Sequence, residues 1–521
     1  MPSHSSATAQ LRAGPPADEL FSWAMTGVIT VVAFVLRLWR VGQPAALVFD
    51  ESLYAKAGFS LYRYGYQGTW TGDTPSIDAA VVHGDVSALT PDGSFASHPM
   101  IGTWLIGAGT QLFGMDPTGW RIASVVFGAL LVLMVIRLAR RLSRSTLVGG
   151  LAGALLTVDG LSFVMSRVAL LDVFEAFFIV AGAAAVLADR DYFRHKLADA
   201  VENTPDAHFD GKPGPFVFRP WLIVAGSMFG LACATKWNAV YPLALFGVMV
   251  VVWSINARRL AGAGRAAWWS LLSDGLPAFV SMVVVSVGVY VASWASWLAT
   301  AGGYDRQWGA TNAGAWMVRH FGTGLGSLWH YTVEMYKWQT GPMASLSHPY
   351  AANPWGLPVV ARTIGVYAET GIAPGSQGCH AGVGDACVRV ITGLGTPLLW
   401  WGAALAMVVG LVWWVVGRDH RFGVVILATC SMWLPWMFVA RPVFAYYATT
   451  MIPFMAIGLA IALRLALGVS PDWRRPSWRV ILVAVYLVLV IADFVFNYPV
   501  YTGQLLPTSH WMWRMWLPGW I

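Results

Sequence analysis

Long apolar runs broken by short polar ones dominate the chain. They lie at about 22–42, 118–137, 147–165, 168–188, 221–237, 239–256, 275–299, 397–417, 423–440, 443–467 and 478–496. Each approaches the roughly 20 residues that carry an α-helix across a hydrocarbon core. In lipid, unpaired backbone groups are too costly for anything but helices or closed barrels, and these runs are too long and continuous for barrel strands. The pattern predicts an all-α integral membrane protein with about eleven transmembrane helices, multi-pass in the plasma membrane.

Met100 to Gly114 is a further apolar stretch, short for a span. The basic residues arbitrate. Arg137, Arg140, Arg141 and Arg144 form one cluster; Arg190, Arg194, His195 and Lys196 a second; Arg258, Arg259 and Arg265 a third. Arg418, His420 and Arg421, then Arg464, Arg474, Arg475 and Arg479, complete the set. All five share one side if the N-terminus is cytoplasmic and 100–114 lies along the outer interface, as the positive-inside bias requires. Residues 1–20 then read as a disordered cytoplasmic tail and 21–521 as one polytopic domain, with the first apolar run kept as an anchor. The tail from Asn497 falls outside. Two large external segments remain, 42–117 and 301–396, where function tends to sit on a rigid scaffold.

Composition agrees. The chain is 57% hydrophobic and 11% charged, against about 25% charged in soluble domains, so its apolar excess needs lipid as solvent. The net charge of +7 resides in the short loops rather than on a basic, aromatic-laced face, which excludes nucleic acid as a partner.

Candidate chemistry concentrates on the outer side. Asp50 and Glu51 follow the first span, between Phe49 and Tyr54. Neighbouring side chains point in different directions, so one carboxylate can face a site while the other orients structure. His98-Pro99 opens the interfacial helix, where His98 either caps it or bonds a phosphate or hydroxyl. Arg121, Arg167, Asp172 and Glu175 are charges within or beside spans, where each needs a partner or a cavity. Lys236 and Arg441 interrupt apolar runs near the outer side, either snorkelling or holding an anionic headgroup. The second external segment carries His348, Tyr350, Trp355 and Arg362; aromatic rings suit sugar faces, and the arginine fork suits phosphate. Cys379 and Cys387 bracket seven residues there. A disulfide is the expectation outside the cytoplasm, with a metal pair using His380 as the alternative.

In their order along the chain these residues resemble the protein O-mannosyltransferase family, in its bacterial branch. The match includes Phe49-Asp50-Glu51, His98-Pro99, Gly119-Trp120-Arg121, Ser166-Arg167…Leu171-Asp172, Thr235-Lys236-Trp237, His348-Pro349-Tyr350…Pro354-Trp355 and Arg441…Phe444…Tyr447. One departure is visible. Where the family often has His-Pro-Pro-Leu-Gly-Lys, this chain reads Met100, Ile101 and Thr103 after His98-Pro99, without the lysine. The resemblance implies a GT-C-type glycosyltransferase fold, a polyprenyl-phosphate mannose donor, Ser or Thr hydroxyls of exported proteins as acceptors, and inversion at the sugar carbon. It also implies no obligatory cofactor or metal, and the export translocon as a neighbour.

Chemistry points the same way. A polyprenyl phosphate leaves as a stable anion, so cations at the phosphate suffice, and Arg121, Lys236, Arg362 and Arg441 are the candidates. The acceptor alcohol needs one general base, a role the family resemblance implies for Asp50, with Glu51 orienting the loop or the acceptor backbone. His98, Asp172, His348, Tyr350 and Trp355 are the candidates for positioning sugar or acceptor. A sibling transferase with a lipid or glycan acceptor is the alternative. A transporter is disfavoured because ionisable residues gather at one side, and a non-catalytic scaffold would not need that set.

Overall fold

The computed structural model describes residues 11–12, 18–203, 216–382, 384–468 and 477–521. Most of the predicted N-terminal tail, together with Arg474 and Arg475, lies outside the described residues.

Helices or broken helices underlie the apolar runs. Seven are long and apolar enough to cross a membrane: Glu19–Leu38, Pro117–Ser143, Trp237–Leu260, Gly264–Ala292, Pro397–Val415, His420–Phe438 and Trp478–Thr502. The run at 147–165 is split into Thr146–Thr157 and Gly160–Met165 by Asp159, whose carboxylate caps the second piece through the Ser162 N–H at 2.8 Å. Pro220–Cys233 and Ile452–Leu467 are apolar but shorter. Asp172–Glu202 is the longest helix and packs extensively on its neighbours, with most of its first half buried. The result is a mostly helical, multi-pass membrane protein.

Buried ion pairs hold helix ends together. Arg258 pairs with Asp274 at 2.7 Å, and Arg219 pairs with Asp189. Breaking such a pair leaves a stranded charge, which costs about 3–5 kcal/mol.

The two long segments between spans fold against each other at one end of the bundle. In the first, helices Glu51–Tyr64 and Ile101–Phe113 cross at glycines; a Cβ on Gly107 would lie 2.4 Å from the Gly58 carbonyl oxygen. The 13-residue Ile101–Phe113 helix is about 20 Å long, short of a membrane crossing. In the second, where the hydropathy pattern predicts no span, Trp316–Thr340 is helical over 25 residues, with a break at Gly322 (φ +83°). Its buried Leu328, Tyr331 and Met335 pack on Trp294 and Trp297. The Tyr331 hydroxyl accepts from the Ala96 N–H at 2.7 Å, tying the two segments together.

A three-stranded antiparallel sheet, Ile364–Ile372, Cys387–Gly393 and Leu505–Pro507, adds the C-terminal tail to the same end. Cys379 and Cys387 are joined by a disulfide beside this sheet. The basic helix ends gather at the opposite pole: Arg137 meets Glu19 at 2.9 Å, and Arg141 meets Asp191 at 2.9 Å.

Candidate functional site

The two adjacent carboxylates have opposite fates. Glu51, in the first turn of its helix, is fully buried. Its Oε1 accepts from Arg121 Nε at 2.8 Å and from the Ala169 N–H at 2.9 Å. Its Oε2 accepts from Arg121 Nη2 at 2.8 Å and from the Val48 N–H at 3.0 Å. Arg121 spends its remaining capacity on carbonyls: Nη1 donates to Val41 and Pro44, and Nη2 also donates to Ala46. All five N–H groups of this guanidinium are taken, two by Glu51 and three by the loop before Asp50. Arg121, expected at the donor phosphate, has nothing left to offer one. Glu51, expected beside the base, is a positioning residue because all its lone-pair directions are taken.

That lock holds an unusual backbone. Phe49 has φ +51°, the left-handed region that bulky residues rarely occupy. Such strain persists only where surroundings over-determine it. Here they are the Glu51–Arg121 pair and an edge contact between the Phe49 and Tyr446 rings at 5.9 Å. The consequence lands on Asp50. It sits at the N-cap of the Glu51–Tyr64 helix, yet its side chain makes no capping bond, so the carboxylate is left for other use. Burial pushes its pKa up to about 6; Lys236 pulls it down and Asp172 pushes it further up.

Lys236 and Asp172 come from different helix ends and meet at 2.8 Å. Lys236 follows the Pro220–Cys233 helix and lies 5.3 Å from the Tyr446 and Tyr447 rings. Asp172 and Glu175 occupy the first turn of the Asp172–Glu202 helix, where the helix dipole favours carboxylates. One Glu175 oxygen is buried without a partner among the described residues. Arg441 arrives from the irregular stretch after Leu434–Phe438. It donates to the Tyr447 hydroxyl at 2.7 Å and to the Gln339 amide oxygen, and its Nε has no partner among the described residues.

His98, Asp172, Glu175, Lys236, Arg441 and Tyr447 are polar members of the lining of one cavity of about 710 Å³; Asp50 is not among its lining residues. Burial, with Lys236 and Arg441 nearby, holds the His98 imidazole well below its ordinary pKa and therefore neutral. Val240, Tyr241, Phe438 and Val439, all exposed, belong to its apolar lining.

Other expected site residues fall outside this wall. Arg362 donates to the Pro349 carbonyl and does not line the cavity. Trp355 is exposed and meets Trp433 edge-on at 6.1 Å. His348 accepts from the Tyr350 N–H at 3.1 Å and packs on Phe444 at 5.1 Å. Phe444 stacks on Tyr446, so His348 and Tyr350 form a shelf connected to Phe49 rather than part of the cavity lining.

Gln339 was not anticipated. Its amide nitrogen donates to the Ser97 carbonyl at 2.8 Å while its oxygen accepts from Arg441, bridging the residue before His98 to the cation. The readable signal was the helical spacing of Leu328, Tyr331 and Met335, which predicts the helix that carries Gln339 to the site.

Residues 27–299 match the family model for dolichyl-phosphate-mannose-protein mannosyltransferase, and residues 325–520 match the C-terminal four-transmembrane region of protein O-mannosyltransferase. The polyprenol-phosphate-mannose–protein mannosyltransferase of Mycobacterium tuberculosis is 33% identical, over 97% of this chain and 93% of its own. That of Corynebacterium glutamicum is 30% identical, over 97% and 96%. In fold, the chain is similar to the Saccharomyces cerevisiae protein O-mannosyltransferase Pmt1-Pmt2 complex bound to the sugar donor. The TM-score is 0.71 at 12% identity, covering 99% of this chain and 94% of that one.

Proposed function

Because the chain belongs to the protein O-mannosyltransferase family, we propose that it moves mannose from polyprenyl-phosphate mannose to Ser or Thr hydroxyls of exported proteins, with Asp50 as the general base. The observation that carries this reading is an uncapped, half-buried Asp50 carboxylate close to a cavity bearing two cations, Lys236 and Arg441.

The donor phosphate sits against Lys236 and Arg441, which both line the cavity. Charge-assisted hydrogen bonds there stabilise the leaving phosphate as it gains negative charge. The prenyl chain leaves along the exposed apolar lining at Val240, Tyr241, Phe438 and Val439. The acceptor oxygen attacks C1 from the face opposite the phosphate, so the configuration inverts. The C1–O(phosphate) bond breaks with its electron pair going to the phosphate, the new C1–O bond forms, and the hydroxyl proton passes to Asp50. Asp172 holds Lys236 in place, and Gln339 and Tyr447 hold Arg441. Neutral His98 offers a hydrogen bond to the phosphate or to a sugar hydroxyl. The cations supply the charge that a divalent metal would otherwise bring.

The membrane disposition follows the same logic. Eleven crossings with a cytoplasmic N-terminus put the basic helix ends inside and the transfer site on the extracytoplasmic face of the plasma membrane, supported by the positive-inside bias. Acceptors then arrive as they leave the export translocon.

The test is transfer of radiolabelled mannose from polyprenyl-phosphate mannose to a Ser/Thr-rich peptide. Asp50→Asn should lose 10²–10⁴-fold in rate, the usual worth of a general base, while remaining folded in the membrane. Near-normal turnover would remove Asp50 from the role. Label appearing only in lipid or glycan would favour the sibling transferase.

A further inference from the structure

A second cavity, of about 520 Å³, lies at the other end of the same helices. The Asp172–Glu202 helix lines the transfer cavity with Asp172 and this one with Arg190 and Arg194. From Asp172 to Arg190 it rises about 27 Å. The Val240–Leu260 helix does likewise, from Val240 to Asn256, about 24 Å apart. Those distances approach the thickness of a hydrocarbon core, so the second cavity opens at the opposite membrane interface.

Its lining is strongly basic. Arg141, Arg144, Arg190, Arg194 and Arg421 face one space, against a single carboxylate, Asp191. The nearby carboxylates are already committed: Asp191 to Arg141 at 2.9 Å, Asp419 to Arg421 at 2.9 Å, and Asp189 to Arg219. Among the described residues, Arg144, Arg190 and Arg194 have no ion-pair partner. Arg190 instead lies over the Trp253 ring at 5.3 Å. Arg144 closes its helix in the left-handed conformation, φ +54°. Topology requires only that basic residues lie on one face, where water can separate them. With Arg141 and Arg421 paired, three arginines still converge on one concavity with no carboxylate of their own among the described residues, and a bound anion would offset their mutual repulsion.

We propose that this cavity binds an anion carrying paired phosphate groups, bridging the ends of four helices on the face opposite the transfer site. A diphosphate lipid headgroup and a free pyrophosphate share that chemistry. Two phosphates would satisfy Arg144, Arg190 and Arg194 with charge-assisted bonds, and the arginine fork suits phosphate oxygens.

The test uses the full-length protein in neutral phosphatidylcholine nanodiscs, titrated with cardiolipin or with inorganic pyrophosphate. Equilibrium binding and the thermal unfolding midpoint are read without any turnover, so the result stands apart from the transferase assignment. Saturable binding of either probe, with a raised midpoint and strong salt sensitivity, is expected. Cardiolipin alone would identify a lipid site, and pyrophosphate competing with it would show that the phosphates suffice. Arg190→Gln with Arg194→Gln should weaken binding about thirtyfold, at roughly fivefold per arginine. Arg144→Asn tolerates the left-handed backbone and should weaken it about fivefold. Mannose transfer by these variants in neutral lipid should match the wild type. Absence of saturable binding by both probes, or unchanged affinity in the variants, would overturn the proposal.

Discussion

Glu51→Gln should cost folding, not chemistry, although residue 51 adjoins the proposed base, Asp50. Each Glu51 oxygen accepts one Arg121 N–H and one backbone N–H, so four donors converge on two atoms. Glutamine keeps one acceptor oxygen and turns the other into an NH₂ group. Whichever way the amide is flipped, one arginine N–H and one backbone N–H then face a donor. The Arg121 guanidinium, 1% exposed, also loses its counter-charge. Removing one partner of a buried pair costs about 3–5 kcal/mol. That is a large share of the 5–15 kcal/mol typical of a folded domain. The strained Phe49 turn relaxes with it. The assay is thermal unfolding in a fixed detergent or nanodisc, run beside single-turnover transfer normalised to folded protein. A much lower unfolding midpoint with partly retained transfer per folded molecule is expected. Wild-type stability with no transfer would refute the reasoning and put Glu51 into the chemistry.

Transfer should show an acid limb. Asp50 acts as base only when ionised, and its pKa is raised to about 6, so kcat/KM should fall tenfold per pH unit below that value and level off above it. Lys236 holds that pKa down, so Lys236→Met should move the limb to higher pH in addition to weakening donor binding; a limb that stays put or moves down would contradict the coupling. Arg441→Gln should lower kcat/KM for the donor about 10–100-fold, the worth of a charged hydrogen bond, whereas Arg362→Gln should change it little, as measured by donor titration. Excess chelator should leave the initial transfer rate unchanged, since Lys236 and Arg441 supply the charge at the phosphate.

The sequence alone determined the solvent and the scaffold. Apolar runs of spanning length force helices because lipid offers backbone groups no partner, and the basic clusters mark one pole whatever the packing. It also singled out Asp50 and Glu51 as candidates, an acidic pair almost at the membrane plane between Phe49 and Tyr54. What only the tertiary structure decided was the division of labour among like residues. Arg121 and Arg441 look equivalent in sequence. One is consumed by Glu51 and three carbonyls, and the other lines a cavity. Asp50 and Glu51 are adjacent, yet after the left-handed Phe49 one side chain is left uncapped and the other is fully buried against Arg121. Gln339 reaches Arg441 across 102 residues of chain. Hydrophobic period is local and readable, whereas the satisfaction of a buried donor depends on which distant strand of chain folds over it.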